Sequence, residues 1–134
     1  CSGKVIRFRR EIGAEHVKIL ADVQVKHYYM VNPSVDISTS AKWAQHQGAD
    51  AVIVTGCSTG VETASSDLEK VRKSISIPVA VGSGVTEKNI AEKMRTADIL
   101  IIGTTLRKGG KMSEPIDEAQ ARAILRAAGR EVEA

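Results

Sequence analysis

A chain of 134 residues, 43% of them apolar, is long enough for one domain with its own hydrophobic core. With 3% aromatic residues and a net charge of +3 spread along its length, it lacks the stacking platforms and concentrated basic surface of a nucleic-acid binder. Cys1 and Cys57 build no disulfide framework and no metal-ligand spacing, and apolar runs such as Ile99 to Ile102 are far too short to cross a bilayer. The expectation is therefore a cytoplasmic protein with no metal and no cofactor. No signal-peptide pattern is present, and a start on Cys1 rather than Met points to an excerpt of a longer protein.

Residues Lys4 to Glu15 are predicted to be helical, with Val5, Phe8 and Ile12 at helical spacing and Gly13 near the end. Arg7, Arg9 and Arg10, the one basic cluster, read as the solvated face of that helix; the competing reading is contact with an anionic surface. A β-rich run follows, Val17 to Lys26. Val35 to Gln47 is a predicted helix with Ile37, Ala41 and Ala44 on one face and Gly48 as its stop. Ala51 to Thr55 is a short apolar strand of the kind buried in parallel sheets. Ser66-Asp67-Leu68-Glu69 reads as a capping box opening a helix whose stripe is Leu68, Val71 and Ile75. Ile77 to Val81 is a third strand. Thr86 is the predicted cap of a helix carrying Ile90 and Met94, and Asp98 to Ile102 is a fourth strand. Asp117 caps a last helix with Ala121, Ile124, Leu125 and Ala128 at i, i+3, i+4 and i+7.

One helix and then four βα units imply a parallel sheet covered by helices, in a single domain over residues 1–134. Periodicity alone leaves open a doubly wound sheet or a closed barrel. The loops tilt the reading to a barrel. Val81-Gly82-Ser83-Gly84-Val85-Thr86 and Ile102-Gly103-Thr104-Thr105 both end strands on glycine, where backbone N–H groups can turn outward and an anion can approach without meeting a Cβ. Two neighbouring strands ending this way make a shared cup, so Gly82, Ser83, Gly84, Gly103 and Thr104 are the candidate phosphate ligands, with the Ser83, Thr104 or Thr105 hydroxyls adding to the amides. Tight-turn chemistry explains either loop alone; the pair favours a phosphorylated small molecule as ligand. Neither loop is a dinucleotide fingerprint or a P-loop.

The first strand is the polar one. Alternation puts Ala21, Val23 and Val25 on the face that packs on helices, and Leu20, Asp22, Gln24 and Lys26 on the other. In a barrel that second face points inward, where charged groups are costly unless paired or used. Asp22, Lys26 and His27 are the candidate catalytic residues: a base or orienting carboxylate, an ammonium for a substrate anion or Schiff base, and an acid or base. A self-satisfied Asp–Lys pair is the competing reading. Thr55, Gly56, Thr59 and Gly60, after the second strand, are candidate substrate contacts.

The segments Asp22-Val23-Gln24-Val25-Lys26-His27, Gly48-Ala49-Asp50-Ala51-Val52-Ile53-Val54-Thr55-Gly56, Thr59-Gly60, Val81 to Thr86, Asn89-Ile90, Ala97-Asp98 and Ile102-Gly103-Thr104, with the tail from Lys108 to Asp117, occur in an order that resembles the C-terminal part of the BtpA/SgcQ family. The resemblance runs from about Arg7 to Gly129. It implies the C-terminal half of a TIM (β/α)₈ barrel of ribulose-phosphate-binding type. It also implies a role in biogenesis or stability of a membrane protein complex, photosystem I in cyanobacteria, with other members near sugar-metabolism genes. The alternative function is an enzyme, a lyase, isomerase or hydrolase, acting on a phosphorylated sugar or nucleoside-like substrate. Two departures stand out. The family's basic residue near position 57 or 58 is replaced by Cys57 and Ser58, and the first four βα units are absent. Half a barrel leaves unpaired edges and an uncovered apolar face. Either the longer protein supplies the other half, or copies associate as a homo-oligomer, or the chain is marginal alone. Contact with a membrane complex is expected to be peripheral.

Overall fold

The computed structural model describes residues 2–25, 32–56 and 62–130. Helix α1 (Ser2–Glu11) leads into β1 (Leu20–Val23), α2 (Ile37–His46), β2 (Ala51–Val54), α3 (Ser65–Ser74), β3 (Val79–Val81), α4 (Ile90–Lys93), β4 (Ile99–Leu100) and α5 (Glu118–Ala127), with two single 3₁₀ turns, Thr104–Leu106 and Lys108–Gly110, between β4 and α5.

The four strands form one parallel sheet in the order β1-β2-β3-β4, with Leu20 opposite Ala51, Val52 opposite Val79 and Ala80 opposite Ile99. Sequential order decides between the two architectures. Right-handed crossovers that always step the same way put every helix on one face, as in a barrel, whereas a doubly wound sheet needs a reversal of strand order. The core confirms this. Val23, Val52, Val54, Val79 and Val81 point to the helix side and pack with Ala41, Leu68, Val71, Ile90 and Ile124. The opposite face carries Leu20, Asp22, Ile53, Ile99 and Ile101, all of them half-buried or exposed.

Several helix signals behave as expected. Asp36 caps α2 by accepting from the Thr39 N–H, Gly48 ends its turn at φ +91°, and Asp117 caps α5 by accepting from Ala119 and Gln120. Others do not. The N-cap of α3 is Ala64, and Ser66 lies inside the helix. No side chain caps that end; Ser65, the first residue of the helix, donates its hydroxyl to the Glu92 carboxylate at 2.6 Å. Helix α4 is a single turn in which Lys93 is buried and Met94 is 44% exposed, so its packing stripe is i, i+3 rather than the expected Ile90–Met94 pair. Strand β1 is shorter than its β-rich run because Gln24 takes a left-handed φ of +51°. That twist turns its amide to the Val35 carbonyl (3.0 Å) in front of α2, off the face it was expected to share with Asp22, and Val25 is exposed rather than packed. In α1 the spacing is right but the cover is missing: Val5, Phe8 and Ile12 are all more than half exposed.

At the N-terminal ends of the strands one device occurs twice. The Asp50 carboxylate accepts from the Ile19 N–H (2.8 Å) and from Arg9 of α1 (2.7 Å). The Asp98 carboxylate accepts from the Val79 N–H (2.9 Å) and from Arg72 of α3 (2.6 Å). Arg9 is therefore engaged with the fold, unlike the solvated cluster the sequence suggests. The Ile19 amide, with Arg9 second, holds the Asp50 carboxyl below the usual carboxylate range.

Candidate functional site

The two glycine turns meet. Residues 82–85 and 101–105, with Met112, line one cavity of about 190 Å³ at the C-terminal end of the sheet. None of the described residues that line it carries a charged side chain, so among them any attraction for an anion comes from dipoles.

Those dipoles are arranged by three side chains that hold consecutive carbonyls. Thr63 donates to the Ser83 carbonyl (3.2 Å), Asn89 Nδ2 to that of Gly84 (2.9 Å) and Thr105 to that of Val85 (2.7 Å). In a trans peptide the C=O and the next N–H point in opposite directions, and no peptide among the described residues is cis. Pinning the carbonyls of Ser83 and Gly84 therefore aims the amides of Gly84 and Val85 the other way. Among the described residues, the N–H groups of Gly84, Val85, Gly103, Thr104 and Thr105 meet no acceptor. Five open amides in two adjacent turns form a concavity suited to an anion.

The glycines have distinct reasons. Gly84 sits at φ +68°, where a side chain is strained. A Cβ on Gly82 would come within 2.6 Å of Thr55 Cγ2 and 2.7 Å of Ile53 Cγ2, so any side chain there requires those two residues to shift. At Gly103 a Cβ would meet nothing within 4 Å; packing does not demand glycine there, and the space beside it is open. Gly103 leads directly into the 3₁₀ turn Thr104–Leu106.

The hydroxyls differ from expectation. Thr105 uses its proton on Val85, and Thr104 donates to the Met112 sulfur at 3.4 Å; Ser83 is buried and has a partner of its own. The amides, not the hydroxyls, are the open donors. Beside the cup, Thr55 Oγ1 donates to Asp22 Oδ1 at 3.5 Å, the outer limit of a hydrogen bond, and Thr55 is in turn the neighbour of Gly82. This brings Asp22, Thr55 and the cup to one rim. Gly56 follows Thr55 and is buried. Lys26, His27, Cys57, Ser58, Thr59 and Gly60 lie outside the described residues. No group of three or more His, Cys, Asp or Glu suited to a metal exists among the described residues.

Behind the cup lies Lys93, 1% exposed, which donates to the Thr63 carbonyl (2.9 Å), the Ser65 hydroxyl (3.1 Å) and the Glu62 carboxylate (2.8 Å). That hydrogen bond, with the charge behind it, lowers the Glu62 carboxyl below its usual range. Sequence reasoning missed Thr63 and Lys93, which lie 30 residues apart and carry no local signal. Asn89 was more accessible: an Asn three residues after Thr86 is the spacing at which its side chain accepts from the Thr86 N–H, at 2.8 Å.

Parallel strands in sequential order, with helices on one face, define part of a (β/α)₈-type barrel. Solved structures agree on the fold: the chain superposes on the YdjI aldolase of Escherichia coli K12 with a TM-score of 0.52 at 16% identity, covering 94% of this chain and 49% of that one. It also superposes on a chain of the Amycolatopsis orientalis BexX/CysO complex with a TM-score of 0.58 at 20% identity, covering 100% and 55%. The model of the BtpA family matches residues 2–130, and the chain belongs to that family. Relatives include the photosystem I biogenesis protein BtpA of Synechocystis, 32% identical over 92% of this chain and 43% of the relative. An uncharacterized mitochondrial protein of Caenorhabditis elegans is 34% identical over 90% and 43%, and a protein of Pyrococcus furiosus 35% over 94% and 47%. The chain spans less than half the length of these relatives.

Proposed function

We propose that this chain contributes the phosphate-binding end of a barrel that takes a phosphorylated small molecule, and that the whole protein serves the biogenesis or stability of a membrane protein complex. The observation that supports the first part is the row of tied-back carbonyls at Ser83 and Gly84, in a turn that lines one cavity together with Gly103 and Thr104. Thr55, hydrogen-bonded to Asp22, neighbours Gly82 at the edge of that cavity. The second part rests on family membership and on the name of the Synechocystis relative. No helix among the described residues is long and apolar enough to cross a membrane, which favours peripheral contact with such a complex.

A thermal-shift series on the full-length protein with sugar phosphates, in buffer free of inorganic phosphate, tests the ligand. Saturating ligand should raise the Tm, by linkage between binding and folding; no shift with any phosphorylated compound sinks the reading. Washing membranes at low and high salt tests the partner, with release by salt expected and an always-soluble protein counting against it.

A second reading, enzymatic turnover of a phosphorylated sugar or nucleoside-like substrate, is favoured by one observation: Thr55 neighbours Gly82 of the cup and hydrogen-bonds the Asp22 carboxylate. Asp22 is then the general base and Thr55 its orienting partner.

A further inference from the structure

Lys93 is the one buried ammonium among the described residues, and the function proposed above does not use it. Its three protons meet three acceptors, the Thr63 carbonyl, the Ser65 hydroxyl and the Glu62 carboxylate. No proton is left for a ligand, so a nucleophilic or substrate-binding role is closed to it. Burying a charge costs several kcal/mol before its partners compensate. Here every partner belongs to the segment 62–65, the stretch that enters α3. The position of that segment is therefore what the buried charge secures.

Thr63 passes that position on. It is itself buried, and while its carbonyl accepts from Lys93, its hydroxyl donates to the Ser83 carbonyl. The Ser83–Gly84 peptide is trans, so the direction of the Ser83 carbonyl sets that of the Gly84 N–H. Gly84 lines the cup and Thr63 does not. We infer that Lys93 is a positioning residue for the anion site, acting through Thr63 on the Ser83–Gly84 peptide, so that an ion pair behind the cup sets the aim of an amide in front of it. The inference rests on the phosphate reading above and assigns its control to a residue that touches no ligand.

The experiment is titration of the full-length protein with inorganic phosphate, followed at the Gly84 amide by ¹⁵N-resolved NMR, for wild type, Lys93→Met, Thr63→Val and Thr63→Ser. Wild type should show a downfield Gly84 amide shift on binding. Lys93→Met and Thr63→Val should weaken phosphate about tenfold, the equivalent of one well-placed hydrogen bond, and lose the Gly84 response. Thr63→Ser, which keeps the hydroxyl, should restore both. A purely structural role would lower the Tm without moving the Gly84 response and without rescue by serine. Thr63→Val preserves shape and stands as the test should Lys93→Met fail to fold. A wild-type response that persists unchanged in Thr63→Val or Lys93→Met overturns the role of Lys93 and leaves the cup intact. A wild type whose Gly84 amide ignores phosphate overturns the cup and this inference together.

Discussion

The two ends of the sheet treat their polar groups in opposite ways. At the N-terminal end, Asp50 and Asp98 each bind a backbone N–H at the start of the neighbouring strand, Ile19 or Val79, and an arginine from the helix before that strand, Arg9 of α1 or Arg72 of α3. At the C-terminal end, side chains bind carbonyls and leave the amides open. One end saturates its hydrogen bonds and holds the strands in place; the other directs unsatisfied donors at a cavity. In barrels generally the N-terminal face stabilises and the C-terminal face carries the chemistry, and the two ends of this sheet differ in how their donors and acceptors are paired.

Substitutions can break this contrast or sharpen it. The largest effect is expected from Gly82→Ala. Its Cβ must displace Thr55 and Ile53 from 2.6–2.7 Å, which costs about 1–3 kcal/mol as overpacking, and both the Tm and phosphate affinity should fall. Asp98→Ala should cost about 1–2 kcal/mol by leaving the Val79 N–H without its acceptor. Denaturant unfolding should show the loss while phosphate titration shows no change, separating the two ends. Gly103→Val enters open space, so stability should stay within about 0.5 kcal/mol while the cup is obstructed and phosphate affinity drops. A fall in stability without a fall in affinity would mean that Gly103 serves the fold.

The smallest effect concerns neither end. Hydrogen bonds from Thr39 first, then Ser38, lower the Asp36 carboxyl from 3.8 to about 2. A depressed carboxylate stabilises the folded state fully above its ordinary value and loses that contribution as the pH falls through the folded one. The α2 cap should therefore weaken between 3.8 and about 2. Asp36→Asn, which caps without titrating, should remove that component from an acid titration followed by helical circular dichroism.

Much of the fold was legible because its signals are local. Asp36 and Asp117 cap the helices that follow them, Gly48 turns left-handed, and the apolar runs at 51–54 and 79–81 are strands. Where expectation failed, a distant contact had overruled a local rule. Ser66 lies inside α3 rather than at its cap, and the neighbouring Ser65 is bonded to Glu92 and Lys93, residues far along the chain. Gln24 leaves its expected face because the Val35 carbonyl needs a donor. Val5, Phe8 and Ile12 keep the spacing of a buried stripe and remain exposed. A periodic pattern specifies an apolar face but not what covers it. The two glycine turns of the candidate site are legible as local signals, whereas the Thr105 hydroxyl bond to the Val85 carbonyl, which joins them, is not.

By itself the sequence determined the succession of helices and strands, the parallel sheet and the pair of glycine turns, because caps, periodicity and glycine act over a few residues. Only the tertiary structure decided that the strands run in unbroken order, that both turns open on one cavity, and that Lys93 and Thr63 sit behind it. These are relations between residues tens of positions apart. Their energies exist only once the sheet has brought the chain segments together.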